Sequence, residues 1–388
     1  MQAPDRGFPI DEFESRVDKL QSTMHRLRCD GVILTTEPNV RYFSGFFTQF
    51  WQSPTRPWFL VIPLEGKPRA VIPEIGASGM EQTWVDDIRT WASPQPDDDG
   101  ISLLVAAIEE LPTRFGQIGM TLGVESVLRM PVNNFHKLEG MLKGRHIVDI
   151  AEAVHQLRMI KSPLEIDKTR YICNLASESF EKVSDLASIG MTERQICRGM
   201  QLDLLGRGAD SCGYMVAGSG KGGYDSIIMG PTDRIIEDGD VLIIDTGSTW
   251  DGYFCDFDRN WAFGHAEADT CKAYETVWQA TEAGFEVARP GATTSDIWNA
   301  MNKIMIAGGS LGNEVGRLGH GLGIELTERP SNTSSDGTAL RAGMVITLEP
   351  GMTFAPGRQM VHEENIVITA DGAEWLSIRA TPEIPVIN

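Results

Sequence analysis

Two aspartates eleven positions apart, Asp245 and Asp256, bracket the stretch whose residue types most directly demand chemistry. Val241-Leu-Ile-Ile244 runs straight into Asp245, the pattern of a buried strand that delivers a carboxylate at its end. Asp251-Gly252 is a two-residue turn signal, and Tyr253-Phe254 restarts an extended run that closes on Asp256. Such a hairpin brings two carboxylates together in apolar surroundings, which only a shared proton or a cation can compensate. A metal is expected there. Three more potential ligands follow in apolar, Gly-punctuated settings: His320 in Leu318-Gly-His-Gly-Leu-Gly323, Glu349 in Val345-Ile-Thr-Leu-Glu-Pro350, and Glu363 in Val361-His-Glu-Glu-Asn365. Two Asp, two Glu and one His make a hard, oxygen-rich set suited to two divalent metal ions, with Mn, Co, Fe and Zn all acceptable.

These ligands need a scaffold. The chain has 388 residues, enough for two or three domains, with 41% hydrophobic and 23% charged residues, as in a water-soluble globular protein. A net charge of -20 argues against nucleic acid or an anionic membrane as partner. No basic-then-apolar N-terminal pattern of a signal peptide stands out, nor an apolar run of the ~18–20 residues a membrane helix requires. Six cysteines, scattered without CxxC pairs, are expected to be reduced thiols of a cytoplasmic protein, with Cys255 packed in the core. Up to about residue 155, helix signals (11–29, 101–111, 132–142) alternate with strand signals (32–36, 58–62, 70–72), as in a small α/β domain. From residue 156 to 388 the pattern changes to helix pairs followed by extended runs. Helices are expected from Ser162-Pro163, from Thr192 to about Leu205, over 266–287 and over 294–306, with Pro290-Gly291 turning between the last two.

In order and surroundings the five ligand candidates resemble the pita-bread metallohydrolases, the group of methionine aminopeptidase, aminopeptidase P, prolidase and creatinase. Asp245 and Asp256 match a D-x-G…D hairpin, His320 a G-H-G-[LI]-G motif, Glu349 an L-E-P-G motif, and Glu363 the ligand from the last strand. Leu157-Arg-Met-Ile-Lys-Ser-Pro-Leu-Glu165 is similar to the connector of the creatinase, prolidase and aminopeptidase P branch. The resemblance implies a creatinase-like α/β N-terminal domain (1–155) and an α+β pita-bread catalytic domain (156–388). It also implies a metallohydrolase of a C–N bond, Xaa-Pro dipeptidase- or aminopeptidase-like, that uses a hydroxide held by two metal ions and works as a cytoplasmic homodimer. Asp245 would bind one ion, Asp256 and Glu363 both, and His320 and Glu349 the second. Glu349 would carry the proton to the leaving nitrogen.

Around these ligands the sequence departs from the family. The segment before the hairpin, Asp225-Ser-Ile-Ile-Met-Gly-Pro231-Thr-Asp-Arg234, lacks the His of Xaa-Pro peptidases. The His expected seven residues after His320 is Thr327, and the Arg expected two before the last ligand is Val361. Substrate contacts are therefore sought at Tyr224 and Asp225, behind a Gly-rich stretch, at Thr327, and at Trp51 and Arg56 of an aromatic, Pro-broken segment. There Arg56 could receive a carboxylate and Trp51 a cation. The same changes leave open an alternative: a non-peptidase acting on a small zwitterion, either a creatinase- or ectoine-hydrolase-like amidohydrolase or a dimethylsulfoniopropionate-lyase-like enzyme. His362 is expected to be structural, His265 to be a loop residue, and Arg259 to pin the hairpin through an ion pair.

Overall fold

A computed structural model describes residues 1–53, 56–312 and 316–388. The chain divides into two compact units, Asp5–Arg158 and Met159–Asn388 with Met1–Pro4, so the division falls between Arg158 and Met159.

The first unit is built on a six-stranded mixed sheet, β4-β3-β2-β1-β5-β6, of strands Gly31–Leu34 (β1), Phe59–Pro63 (β2), Arg69–Pro73 (β3), Asp87–Trp91 (β4), Gln117–Met120 (β5) and His146–Asp149 (β6). Its helices are Ile10–Leu27 (α1), Glu37–Ser44 (α2), Ala77–Met80 (α3), Ile101–Glu109 (α4), Val132–Met141 (α5) and Ala151–Met159 (α6). The apolar period read over 11–29 is the buried face of α1: Phe13, Val17, Leu20 and Met24 point inward. β1 to β3 pair antiparallel while β4, β5 and β6 add parallel, each after a crossover that contains a helix. This is the expected α/β unit.

The second unit repeats one arrangement twice. Helices Pro163–Leu186 (α7) and Glu193–Gly206 (α8) precede strands Ser211–Lys221 (β7), Asp240–Trp250 (β8), Tyr253–Phe254 (β9) and Phe257–Phe263 (β10). Helices Ala268–Val287 (α9) and Thr294–Gly308 (α10) then precede His320–Gly321 (β11), Glu328–Ser331 (β12), Val345–Leu348 (β13), Gly351–Ala355 (β14), Arg358–Val361 (β15), Glu364–Ile368 (β16), Ala373–Trp375 (β17) and Val386–Ile387 (β18). α7 and α8 start at the capping boxes Ser162/Glu165 and Thr192/Gln195, which satisfy backbone donors that the first turn leaves free. One sheet runs β18-β10-β8-β7 and another β12-β11-β13-β16-β17, with β14 and β15 as a separate hairpin.

β8 explains its own sequence. Leu242 and Ile244 pack into a core with Ile172, Phe180 and Met200 of the first helix pair, while Val241 and Ile243 pack into a second core with Val277, Ile297 and Met301 of the second pair. A strand buried on both faces is continuously apolar rather than alternating.

Candidate metal centre

Register decides which side chains share the face of the hairpin. The turn at Asp251-Gly252 takes positive φ at both residues (46° and 77°), which matches the twist of the flanking strands. Thr249 then pairs with Phe254 and Phe257 with Thr246, so Asp256, between β9 and β10, stands opposite Gly247, while Asp258 pairs with Asp245. Residues 245, 247, 256 and 258 thus share one face. A Cβ at Gly247 would overlap Leu326 and crowd Tyr214, so only glycine leaves room there. Asn365 holds Asp256 from both sides: it accepts the Asp256 amide at 2.9 Å and donates its own amide to the Asp256 carbonyl.

The two glutamates are aligned in the same way. Leu348 pairs with Glu364 and Gly351 with Val361, and one register through both ladders sets Glu349 opposite Glu363. His320 opens β11, its amide bonded to Thr347 Oγ1 at 3.1 Å. Its Nδ1 lies 2.8 Å from the Gly321 carbonyl oxygen. A carbonyl can only accept, so Nδ1 carries the proton and Nε2 presents its lone pair. Ligand atoms of Asp256, His320 and Glu363 all lie within 4.8 Å of one another, and His320 Nε2 is 3.4 Å from Asp256 Oδ2.

Asp256, His320 and Glu363 are buried, whereas Asp245 and Glu349 keep part of their surface open. Even so, Asp245 Oδ1, Glu349 Oε2 and Glu363 Oε1 are themselves buried with no hydrogen-bond partner. Burial raises the pKa of all four carboxyl groups. Asp256 and Glu349 push Asp245 further up, and Asp256, Glu349, Asp245 and Asp258 do the same to Glu363. His320 moves the other way, toward the neutral imidazole, again because it is buried. Orphaned oxygens crowded against one another and a neutral imidazole together fit divalent cations, which would reverse the electrostatic cost.

Sequence reasoning missed three residues at this site. Tyr214, opposite Gly247 on β7, hydrogen-bonds the Asp245 side chain; burial and the nearby carboxylates raise its own pKa. Asp258 is buried and accepts the backbone amide of Glu363, orienting that ligand; its place two residues after Asp256 was the available signal. Arg317 acts electrostatically on Asp256, His320 and Glu349, and no motif marks it.

The expected substrate residues scatter. Tyr224 is corrected: it does not line a cavity but is buried, with its hydroxyl donating to Asn260 Oδ1 at 2.9 Å and accepting the Val361 amide at 2.8 Å. The Gly-rich stretch before it is the end of β7, which turns the tyrosine into the core with Val241 and Ile243. Asp225 and Thr327 are exposed on loops. In the first unit, Trp51 is buried, with the Arg129 guanidinium 4.9 Å from its ring and donating to its carbonyl at 2.9 Å, so an internal cation already covers that ring. Arg56 is part exposed, 5.6 Å from the Phe50 ring; Pro54 and Thr55 of that segment lie outside the described residues. His362 is buried with Nε2 3.2 Å from Glu364 Oε1, and its pKa falls to about 4 through burial. Arg259 pairs with Glu364 at 3.1 Å and donates to the Glu363 carbonyl at 3.2 Å.

Comparison with known proteins gives the chain's family and fold. Residues 167–370 match the model of metallopeptidase family M24, and residues 16–160 match the creatinase/prolidase N-terminal domain. The probable dipeptidase PepE of Mycobacterium tuberculosis is 28% identical over 370 residues, covering 95% of each chain. The Xaa-Pro dipeptidase of Pyrococcus horikoshii is 26% identical over 373 residues, covering 95% of this chain and 98% of that protein. Among solved structures, dipeptidase PepE from Mycobacterium ulcerans superposes with a TM-score of 0.85 at 25% identity, covering 98% of this chain and 99% of the other. Recombinant prolidase from Thermococcus sibiricus gives 0.86 at 23% identity, covering 96% and 99%, which shows the shared pita-bread fold.

Proposed function

Because the chain belongs to metallopeptidase family M24, a family of metal-dependent hydrolases, we propose that it is a dipeptidase that cleaves the C–N bond preceding proline. The observation that carries this reading is the set of buried, unpartnered oxygens on Asp245, Glu349 and Glu363 beside the Asp256–His320–Glu363 cluster. Together with relatives described as dipeptidases and Xaa-Pro dipeptidases, that set supports two divalent ions held by Asp245, Asp256, His320, Glu349 and Glu363. When bound, such ions polarise a scissile carbonyl and lower the pKa of water toward neutrality.

The chain's own residues do the rest. Asp256 and Glu363 would hold the ions together with Asp245, His320 and Glu349. His320, its tautomer set by the Gly321 carbonyl, offers only a lone pair. Glu349 is the group that holds a proton between attack and departure: its Oε2 is buried and has no competing hydrogen-bond partner. The leaving prolyl nitrogen takes that proton. Tyr214 steadies Asp245 and Asp258 steadies Glu363, so that neither ligand turns away as charge develops. All six cysteines are free thiols, which supports work in a reducing, cytoplasmic setting, and we take the working form to be a homodimer, to be checked by sedimentation.

The test is hydrolysis of an Xaa-Pro dipeptide and tripeptide panel by Mn(II)- or Co(II)-loaded protein beside its chelator-treated form. Metal-dependent release of proline is expected. Folded, metallated protein that turns over none of the panel would sink the peptidase reading. That result would favour the small-zwitterion alternative, which the exposed Thr327 and the absent arginine at 361 keep in play.

A further inference from the structure

We propose that Arg317 receives the free carboxylate of the substrate, in a chain that carries Val rather than the expected arginine at position 361. The proposal rests on the dipeptidase reading and names the residue that would make that reading selective for a short, C-terminally free substrate.

Position 361 is closed to this role. Val361 is buried, packs its methyl groups toward Gly351, and has its amide tied to the Tyr224 hydroxyl at 2.8 Å. The other cations near the ligands are committed elsewhere. Lys161 is paired with Glu328 at 2.8 Å, with both side chains no more than 5% exposed. Arg259 is held by Glu364, and Arg379 by Glu364 and Glu282. Arg317 differs from all of these. It is half-buried, and among the described residues its guanidinium makes no hydrogen bond and no ion pair.

Its position is set by the backbone rather than by a partner. The Leu318 amide bonds the Asn332 carbonyl at 2.8 Å, and Gly319 follows with φ 126° pressed against Thr347, so the chain is fixed from residue 318 through His320. Arg317 is the last residue before that fixed segment, three positions from a ligand. Its charge is felt by Asp256, by His320 and by Glu349, which places it within electrostatic reach of the ligand set. Asp245, Glu349 and Tyr214, like Arg317, are the part-exposed members of this neighbourhood. Arg317 thus keeps solvent access close in the chain to a ligand, which a substrate-receiving group needs.

Arg317 is a cation whose charge reaches Asp256, His320 and Glu349 while, among the described residues, it forms no ion pair of its own. The whole chain carries -20, so an anionic ligand is repelled at long range and needs a local positive group to be held. A guanidinium with no ion pair among the described residues gives up no such contact there when it takes a carboxylate in a two-pronged, charge-assisted contact.

The experiment is calorimetric titration of the Mn(II)-loaded full chain with L-proline and with L-prolinamide, in the wild type, Arg317→Met and Arg317→Lys. The expected result is a preference of the wild type for proline of roughly 10- to 100-fold, the scale of one charge-assisted contact. Arg317→Met should erase the preference, Arg317→Lys should restore part of it, and both should keep the wild-type manganese content. Equal binding of proline and prolinamide by the wild type, binding of neither, or an equal loss for both ligands in Arg317→Met would overturn the proposal. The two readings fail separately. A retained proline preference without turnover of Xaa-Pro peptides sinks the peptidase reading alone, whereas turnover without discrimination between proline and prolinamide sinks the role of Arg317 alone.

Discussion

Glu363→Gln should make the metal-free protein more stable while making the metal-loaded protein worse. Gln keeps the shape and one acceptor oxygen of Glu363 but removes its charge. Carboxylate oxygens of Asp256 and Glu363 lie within 4.8 Å of each other, and both residues are no more than 5% exposed. At an effective dielectric of about 20, two unit charges at that separation repel by about 3.5 kcal/mol. For a unit of this size each kcal/mol shifts the thermal midpoint by about 2–4 °C, so the variant should melt on the order of 7–14 °C higher in chelator near pH 8.

The pH dependence has a definite sign. Burial and neighbouring carboxylates raise the pKa of Glu363, and burial raises that of Asp256, above their unfolded values. The stability they contribute is complete below the ordinary carboxylate range and is lost as pH rises through the raised values. The advantage of the Gln variant should therefore grow with pH and shrink toward acid. Adding Mn(II) should invert the order. A ligand at a hundredfold excess over its Kd adds about 2.7 kcal/mol to the wild type, and the variant offers the metal one carboxylate fewer. Scanning calorimetry with chelator and with Mn(II), at several pH values, reads all of this. A variant that melts below the wild type in chelator at pH 8 would refute the like-charge reasoning and make Glu363 a structural residue.

Three further outcomes follow from the same geometry. Tyr214→Phe removes the hydroxyl that bonds Asp245 and should weaken Mn(II) binding by roughly 10- to 100-fold in a titration, with the melting point in chelator nearly unchanged. Lys161→Met removes the cation 2.8 Å from the buried Glu328 carboxylate and should cost about 3–5 kcal/mol in denaturant unfolding. Adding Glu328→Gln should recover most of that loss, and strictly additive losses in the double variant would show that the pair does not interact. Gly319→Ala forces a side chain onto a backbone at φ 126° beside the Thr347 carbonyl, and should cost at least about 2 kcal/mol as well as metal affinity, read by denaturant midpoint and titration.

What could be read from the sequence was whatever a local rule determines. The run Val241–Ile244 is apolar because β8 is buried on both faces, and the Asp251-Gly252 turn fixes which residues of the next strand lie opposite Gly247. The capping boxes at Ser162 and Thr192 start α7 and α8 by chemistry contained in four residues. The five ligand types are legible for a related reason. A carboxylate at the end of an apolar strand, or an imidazole between glycines, conflicts with its surroundings unless something compensates it.

Residues that touch the substrate carry no such local conflict, because their meaning depends on which tertiary partner each side chain has taken. Tyr224 follows a flexible-looking glycine run, yet Asn260 and the Val361 amide, far away in sequence, claim its hydroxyl. Trp51 offers an aromatic face that Arg129, more than seventy residues later, already covers. Arg259 sits inside a motif and is fully engaged by Glu364 and three carbonyls. Arg317 sits three residues before His320 without any motif and is engaged by none of the described residues. A guanidinium is informative about binding when the fold has left it without a partner, a property that emerges only after every other pairing is known. The metal ligands announce themselves by what they lack locally, and the candidate specificity residue only by what the finished fold withholds from it.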